Sequence, residues 1–292
     1  MSDEERLPAI AGSPPMSSNS IPWSRTSAPV SRRWLVTLAM MSSHAAQQRQ
    51  EANEASLKDA PPTDAHGARD VHVVVAAYNE ESVIARTVRE LVEFFPNAIV
   101  VDDGSSDRTA ARAGQAGAVV VRHPINLGQG AALQTGITYA LQRRARYIAT
   151  FDADGQHQAH DLIRMFDVLR SRNADIALGS RFLGDAEGLP MRRRLLLKAA
   201  VLFTNLATGT KLSDAHNGLR LMTAEAARKF RVTQNGMAHA SEFIEQIHRL
   251  RLNYVEVPAH IRYTAYSLAK GQSNSGAVRI LSDLVFSKLA QW

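Results

Sequence analysis

From residue 71 onward, short apolar runs alternate with longer stretches in which apolar residues recur every three or four positions. Val71-His-Val-Val-Val-Ala-Ala77 is a near-continuous apolar run, the signature of a strand buried on both faces. Val83, Ile84, Val88, Leu91, Val92 and Phe95 follow at helical spacing. Pro96 ends that helix, and Asn79 is expected to cap it with Glu80 and Glu81 in its first turn. Ala98 to Asp102 predicts a second strand, followed by a short Ala-rich helix, and Ala118 to Val121 a third. A helix running through Leu141 precedes the fourth strand, Tyr147 to Phe151. A helix over roughly 159–170 and a strand at 174–179 complete the series. This order predicts an α/β fold that is Rossmann-like, with a mostly parallel central sheet and helices on both faces.

Beyond residue 180 the pattern changes. A Gly-containing loop (181–190) leads into a helix opened by Met191-Arg-Arg-Arg194, with an apolar run from Leu195 to Leu206. Asn217 to Met222 predicts a strand, Ser241 to Leu250 an amphipathic helix, and Tyr254-Val-Glu-Val-Pro258 an edge strand, where proline is tolerated. Residues 277–292 predict an amphipathic helix with Val278, Leu281, Val285, Leu289 and Trp292 on one face. Residues 1–69 contain a Ser/Pro-rich tract and an Ala/Gln-rich tract closed by Pro61-Pro62, the composition of a disordered extension. One domain over 70–292 is expected.

Composition narrows the chemistry. The chain has no cysteine, which excludes disulfides, thiolate catalysis and cysteine-ligated zinc. No apolar run approaches the ~20 residues of a spanning helix. The formal net charge is +6, yet residues 1–70 hold seven Lys/Arg against eight Asp/Glu, so the basic excess lies beyond them. Nucleic acid, anionic lipid and phosphorylated substrates all suit such a surface. Low aromatic content and the absence of any nucleic-acid module disfavour nucleic acid.

The chemistry concentrates where the strands end. Asp152 and Asp154 follow the fourth strand, and side chains two apart on an extended backbone point the same way. Two hard oxygen ligands suit Mg²⁺ or Mn²⁺ arriving with a substrate diphosphate. Tyr78-Asn79-Glu80 and Asp102-Asp103 end the first and second strands, and in an open α/β sheet these ends meet in one crevice. Asp103 is placed to accept hydrogen bonds from a nucleobase or ribose. Gly128 and Gly130 precede a helix N-terminus whose N–H groups favour phosphate. The spacing is not that of a dinucleotide fingerprint, which disfavours an oxidoreductase.

Five stretches in this order, Ala76-Ala-Tyr-Asn-Glu80, Val101-Asp-Asp-Gly-Ser-Ser-Asp-Arg-Thr109, Asn126-Leu-Gly-Gln-Gly-Ala131, Phe151-Asp-Ala-Asp-Gly-Gln-His157 and Gly179-Ser-Arg181, resemble the motifs of family 2 glycosyltransferases of the GT-A fold. The branch most resembled is the dolichol-phosphate mannosyltransferase-like group with its bacterial polyprenyl-phosphate glycosyltransferases. The resemblance spans about residues 71–290. It implies an inverting, metal-dependent transfer from a UDP- or GDP-linked sugar, with a donor half at about 70–180 and an acceptor half at about 181–275. Tyr78, Glu80 and Asp103 would hold the nucleoside, with Gly128 also on the donor side. Asp152, Asp154 and Gln156 would hold the metal and diphosphate. His157 reads as a supporting or capping residue beside them.

A sugar hydroxyl acceptor needs a general base, whereas a lipid phosphate is already ionised and needs cations instead. Arg181, Arg192, Arg193, Arg194, Lys198, Arg262 and Lys270 supply cations, with Arg194 and Lys198 on one helix face. The resemblance places Arg181 and Arg194 at the acceptor phosphate. Glu256-Val-Pro258, Arg262 and Lys270-Gly-Gln-Ser273 resemble the branch's C-terminal signature, with different spacing between Arg262 and Lys270. A solvated helix start is the other reading of Arg192–Arg194. A polyprenyl phosphate is thus the expected acceptor, on the cytoplasmic side of a cell envelope. A saccharide hydroxyl is the alternative, with Asp214 or Glu242 as base, and a non-catalytic nucleotide-sugar-binding protein is a third. The apolar run 195–206 and the 277–292 helix would rest on a membrane surface, pack against the sheet or form a homo-oligomer contact.

Overall fold

The structure, a computed structural model, describes residues 67, 69–184, 186, 187, 189, 191–208, 210–214, 217–236 and 238–262. Nearly all of the expected extension, Lys270 and the expected 277–292 helix lie outside the described residues.

In chain order residues 71–180 run β1 (Val71–Ala77), α1 (Ile84–Phe94), β2 (Asn97–Asp102), α2 (Thr109–Gln115), β3 (Val119–Arg122), α3 (Gln129–Gln142), β4 (Tyr147–Asp152), α4 (Ala159–Ser171) and β5 (Ile176–Ser180). There follow β6 (Ala186–Glu187), α5 (Met191–Thr208), β7 (Arg220–Thr223), α6 (Ala224–Lys229), α7 (His239–Arg249), β8 (Tyr254–Pro258) and β9 (Ile261–Arg262). The main sheet has the order β3-β2-β1-β4-β7-β5-β8, and β6 pairs with β9 separately.

β1 shows why its sequence is apolar almost throughout. Val71, Val73 and Val75 face a core built with Ile84, Val88 and Leu91 of α1 and with Leu162, Met165 and Phe166 of α4. Val74 faces the opposite core, with Ile137 of α3 and Phe243 and Ile247 of α7. Each such side chain contributes about 1.5–3 kcal/mol by burial. Proline ends β8 at the sheet edge, as expected, with Pro258 opposite Ser180.

The sheet is parallel except for β7. That strand runs antiparallel to both neighbours and sets Arg220 opposite Thr150 of β4 and Leu178 of β5. The alternation over 71–180 contains no sign of a strand between β4 and β5. β7 arrives from beyond residue 180 and is inserted between β4 and β5, within one sheet.

The expected cap by Asn79 is not formed. α1 begins at Ile84 without a side-chain cap, and Asn79 has a left-handed φ of 52°. Its N–H donates to Ser105 Oγ (2.9 Å) and its Oδ1 accepts from Ser106 N (3.0 Å), so it ties the loop after β1 to the loop after β2. Glu81 does the same, with Oε2 accepting from Arg108 N (3.2 Å) and Oε1 paired with Arg112 (2.9 Å). A contact across the crevice outweighs the local helix-dipole preference.

Candidate active site

The ends of β1, β2 and β4 converge on one edge, where their loops are stitched together. Asp103 N donates to Ala77 O (2.8 Å) and Glu80 N donates to Thr109 Oγ1 (2.8 Å). Glu80 is buried beside this seam, whereas Tyr78 is 44% exposed at its mouth.

Asp103 does a different job from the expected one. Its Oδ1 accepts from Leu127 N (2.9 Å) and lies 2.7 Å from His123 Nδ1, and its Oδ2 accepts from Gly128 N (2.7 Å). The buried carboxylate thus holds the loop leading into α3. Gly128 and Gly130, which precede the helix start expected to favour phosphate, are themselves engaged. The Gly128 N–H is taken by Asp103, and the Gly130 N–H donates to Asn235 O (2.9 Å). A Cβ at Gly128 would lie 2.3 Å from Asn235 O, and one at Gly130 1.9 Å from Gln234 O. These glycines admit the 234–235 backbone over the helix start.

Asp152 ends β4 and Asp154 lies in the turn that follows, not on extended backbone as the spacing argument expects, yet close enough for their charges to interact. Asp152 Oδ2 accepts from His157 Nε2 (3.0 Å) and Oδ1 from Gln129 Nε2 (3.3 Å). Asp154 Oδ1 accepts from Gln156 N (3.0 Å). The two carboxyls titrate in opposite directions. Burial opposes ionisation of Asp152, but the hydrogen bond and charge of His157, with Arg220 and His239 behind, hold it below the ordinary carboxylate range. Burial and then the charge of Asp152 push Asp154 up to about 6, with Glu80 adding to the shift. A divalent cation would relieve that repulsion, so the donor set fits one. Among the described residues no group of three His, Cys, Asp or Glu side chains is arranged to hold a metal. Further ligands would come from amide, water or diphosphate oxygens, which suits an ion carried in with its substrate.

The sequence reading missed what lies behind this pair. A Cβ at Gly218 would fall 2.2 Å from Asp152 Oδ2 and 2.4 Å from Oδ1, so only glycine fits against that carboxylate. Thr150 Oγ1 donates to Gly218 O (2.7 Å) and locks the approach. Two residues on, Arg220 is 2% exposed, with its guanidinium carbon 4.3 Å from the centroid of the Phe243 ring. Burial lowers Arg220 to about 10 against the pull of Asp152 and Asp214, which leaves it a cation at neutral pH. His239 is buried nearby, and burial followed by the charge of Arg220 lowers its pKa. One signal was available: an arginine at a buried position within the apolar strand Leu219-Arg-Leu-Met222.

On the acceptor side, Arg181 and Asp214 form a buried pair. Asp214 Oδ2 accepts from Arg181 Nε (2.6 Å) and from Arg181 N (3.1 Å), with side chains 9% and 2% exposed. Breaking such a pair costs about 3–5 kcal/mol. The Asp214 carboxylate is therefore already engaged by the neighbouring guanidinium. Glu242 accepts from Thr233 N (3.0 Å), Thr233 Oγ1 (2.6 Å) and Gln234 N (3.0 Å) and clamps that loop to α7. Lys198 lies over the Phe182 ring (5.8 Å), next to Arg181, while Arg194 is exposed on the same helix. The side chains of Arg192 and Arg193 lie outside the described residues. The Arg262 N–H donates to Gln156 O (3.0 Å), beside the acid-pair loop, and its strand β9 pairs with β6 at Glu187.

Two predictions follow from this geometry. Gly218→Ala drives a methyl into the Asp152 carboxylate, so turnover is expected to fall about 100-fold with the far-UV circular dichroism spectrum retained. Near-normal turnover would show that the contact does not matter. Partial burial pushes the Glu256 carboxyl from 4.5 up to about 7, with Asp214 adding to the shift. Between those values the folded chain keeps a proton that the unfolded chain releases, so stability falls as pH rises through 7. The contribution of this group to the urea midpoint is expected to be larger at about pH 5.5 than at about pH 8, a difference that Glu256→Gln removes.

Comparison with known proteins agrees with this architecture. The model of the family described as Glycosyl transferase family 2 matches residues 72–231. An uncharacterized protein of Methanocaldococcus jannaschii is 36% identical over 75% of this chain and 93% of its own length. The UDP-N-acetylglucosamine–dolichyl-phosphate N-acetylglucosaminyltransferase of Methanococcus voltae is 26% identical over 76% of this chain and 97% of its own. The polyprenol monophosphomannose synthase of Mycolicibacterium smegmatis is 28% identical over 75% and 85%. Among solved structures, glucosyl-3-phosphoglycerate synthase from Mycobacterium tuberculosis, in complex with Mn²⁺, UDP-glucose and phosphoglyceric acid, aligns with a TM-score of 0.58 at 19% identity. That alignment covers 76% of this chain and 80% of the other, a likeness of fold. With a GT-A sheet, an acid pair at the end of β4 and a family model matching more than half its length, this chain belongs to glycosyl transferase family 2 and is a glycosyltransferase.

Proposed function

We propose that this enzyme transfers a sugar, with inversion, from a UDP- or GDP-linked donor to a polyprenyl phosphate. The observation that carries this reading is the character of the acceptor side. Both acids that a hydroxyl acceptor would need as a base are engaged, Asp214 by Arg181 and Glu242 by the 233–234 backbone. Cations lie close in the chain and fold, Arg181 beside Phe182, Lys198 over the Phe182 ring and Arg194 exposed on the same helix as Lys198. A phosphate oxygen is ionised already and needs positioning, not deprotonation. The names of the relatives in M. voltae and M. smegmatis support the same acceptor class.

In this reading a phosphate oxygen attacks the anomeric carbon, the bond from that carbon to the diphosphate breaks, and the nucleoside diphosphate leaves. Asp152, Asp154 and Gln156 would hold Mg²⁺ or Mn²⁺, which would supply charge neutralisation for the departing diphosphate. Tyr78 and Glu80 border the nucleoside, and Asp103 acts at one remove by holding the 127–128 loop. Residues 70–180 form the donor half and 181–275 the acceptor half.

Among the described residues no helix is long and apolar enough to cross a membrane. On α5, however, Met191, Leu195, Leu202 and Leu206 are 76%, 71%, 61% and 79% exposed and share one face, with Arg194 and Lys198 alongside. That face suits the headgroup boundary of a cytoplasmic leaflet, where a polyprenyl phosphate presents its charge.

The expected outcome with radiolabelled nucleotide-sugars and undecaprenyl phosphate is label in the organic phase that requires Mn²⁺ or Mg²⁺ and is lost in Asp154→Ala. Metal-dependent release of free sugar, with no lipid product from any donor, would refute the lipid acceptor. Sedimentation with phosphatidylglycerol vesicles is expected for the native chain and reduced several-fold in Leu195→Ser/Leu202→Ser. Equal sedimentation of the two would remove α5 as the contact.

A further inference from the structure

Glu256 takes no part in the chemistry described above, yet its carboxylate is one of the most heavily used in the acceptor half. It stands on β8 opposite Leu178 of β5 and reaches the loop ahead of β7. Ser213 N donates to both of its oxygens (2.8 and 3.0 Å), Ser213 Oγ donates to Oε1 (2.6 Å), and Asp214 N approaches the same oxygen at 3.3 Å. The Ser213 hydroxyl has a single hydrogen, directed at Glu256, so it accepts from Ser180 Oγ–H at 2.6 Å. Ser180 ends β5 and precedes Arg181.

The contacts form one continuous chain. Glu256 fixes Ser213 and the Asp214 backbone, the Asp214 carboxylate takes Arg181 Nε and N–H, and Ser213 steadies the residue before Arg181. Placing Glu256 next to Asp214 brings two acids together, which is unfavourable by itself. The gain is orientation, because two backbone N–H groups and a hydroxyl converging on one carboxylate leave the 213–214 loop a single conformation. Without that anchor, Asp214 can turn and take the Arg181 guanidinium with it.

We propose that Glu256 is the positioning residue of the acceptor site: acting through Ser213 and Asp214, it sets the orientation of Arg181 and so the affinity for the phosphate of the acceptor, leaving donor binding untouched. This inference rests on the reading that Arg181 holds the acceptor phosphate.

The test is steady-state kinetics of the full-length chain at about pH 8, where Glu256 is ionised, with undecaprenyl phosphate and nucleotide-sugar varied in turn. For Glu256→Gln, loss of a charged anchor is expected to raise the lipid KM about tenfold. The donor KM should stay within about twofold and kcat at saturating lipid should be retained. Ser213→Ala removes one link and is expected to raise the lipid KM roughly threefold. If Glu256→Gln does not fold, judged by circular dichroism, Ser213→Ala decides alone. An unchanged lipid KM, or equal rises for lipid and donor, overturns the proposal, since a merely structural residue would disturb both substrates. Arg181→Ala in the same assay separates the two readings. If it leaves the lipid KM unchanged, the acceptor assignment fails and this inference with it. If it raises that KM while Glu256→Gln does not, only the role of Glu256 falls.

Discussion

The close approach of Gly218 to the Asp152 carboxylate is the constraint on which the site depends. A side chain of any size at residue 218 would occupy the space of that carboxylate. The approach exists because β7 enters the sheet antiparallel between β4 and β5, with the Thr150 hydroxyl on the Gly218 carbonyl. One strand thereby closes the back of the donor site, places Arg220 behind it, and carries the chain onward from the acceptor loop at Asp214.

Electrostatics then divides the crevice. On the donor side two adjacent carboxylates are supported unequally, Asp152 by His157, Gln129 and distant cations, Asp154 by a single backbone N–H. Their repulsion makes the pair receptive to a divalent cation. Elsewhere Asp214 is matched to Arg181 and Glu242 to a loop backbone, so each of these acids already has a partner within the protein. The same residue types serve opposite purposes because their partners differ.

Several residues with the right chemistry turned out to have structural employment. Asn79 looked like a helix cap, but its amide closes the seam between two loops. Gly128 and Gly130 resembled a phosphate-binding turn, but they make room for the backbone of residues 234–235. Asp103 holds Leu127 and Gly128 in place, and Glu242 holds Thr233 and Gln234. Each is a local pattern whose partner lies more than five residues away in the chain, often more than twenty. Local propensity is worth about 1 kcal/mol, and a tertiary hydrogen bond to a charged group outweighs it.

By itself the sequence determined the strand and helix order over residues 71–180, the double-sided burial of β1, and the family. These follow from periodicity and from neighbours two to four residues apart, which covalent geometry alone brings together. Only the tertiary structure decided that β7 lies between β4 and β5, that Gly218 and Arg220 back the acid pair, that Asp214 belongs to Arg181, and that Glu256 holds their loop. Those pairings join residues 33 to 68 positions apart, and which distant segments meet is set by burial of the whole sheet, a sum over the chain that no local window contains.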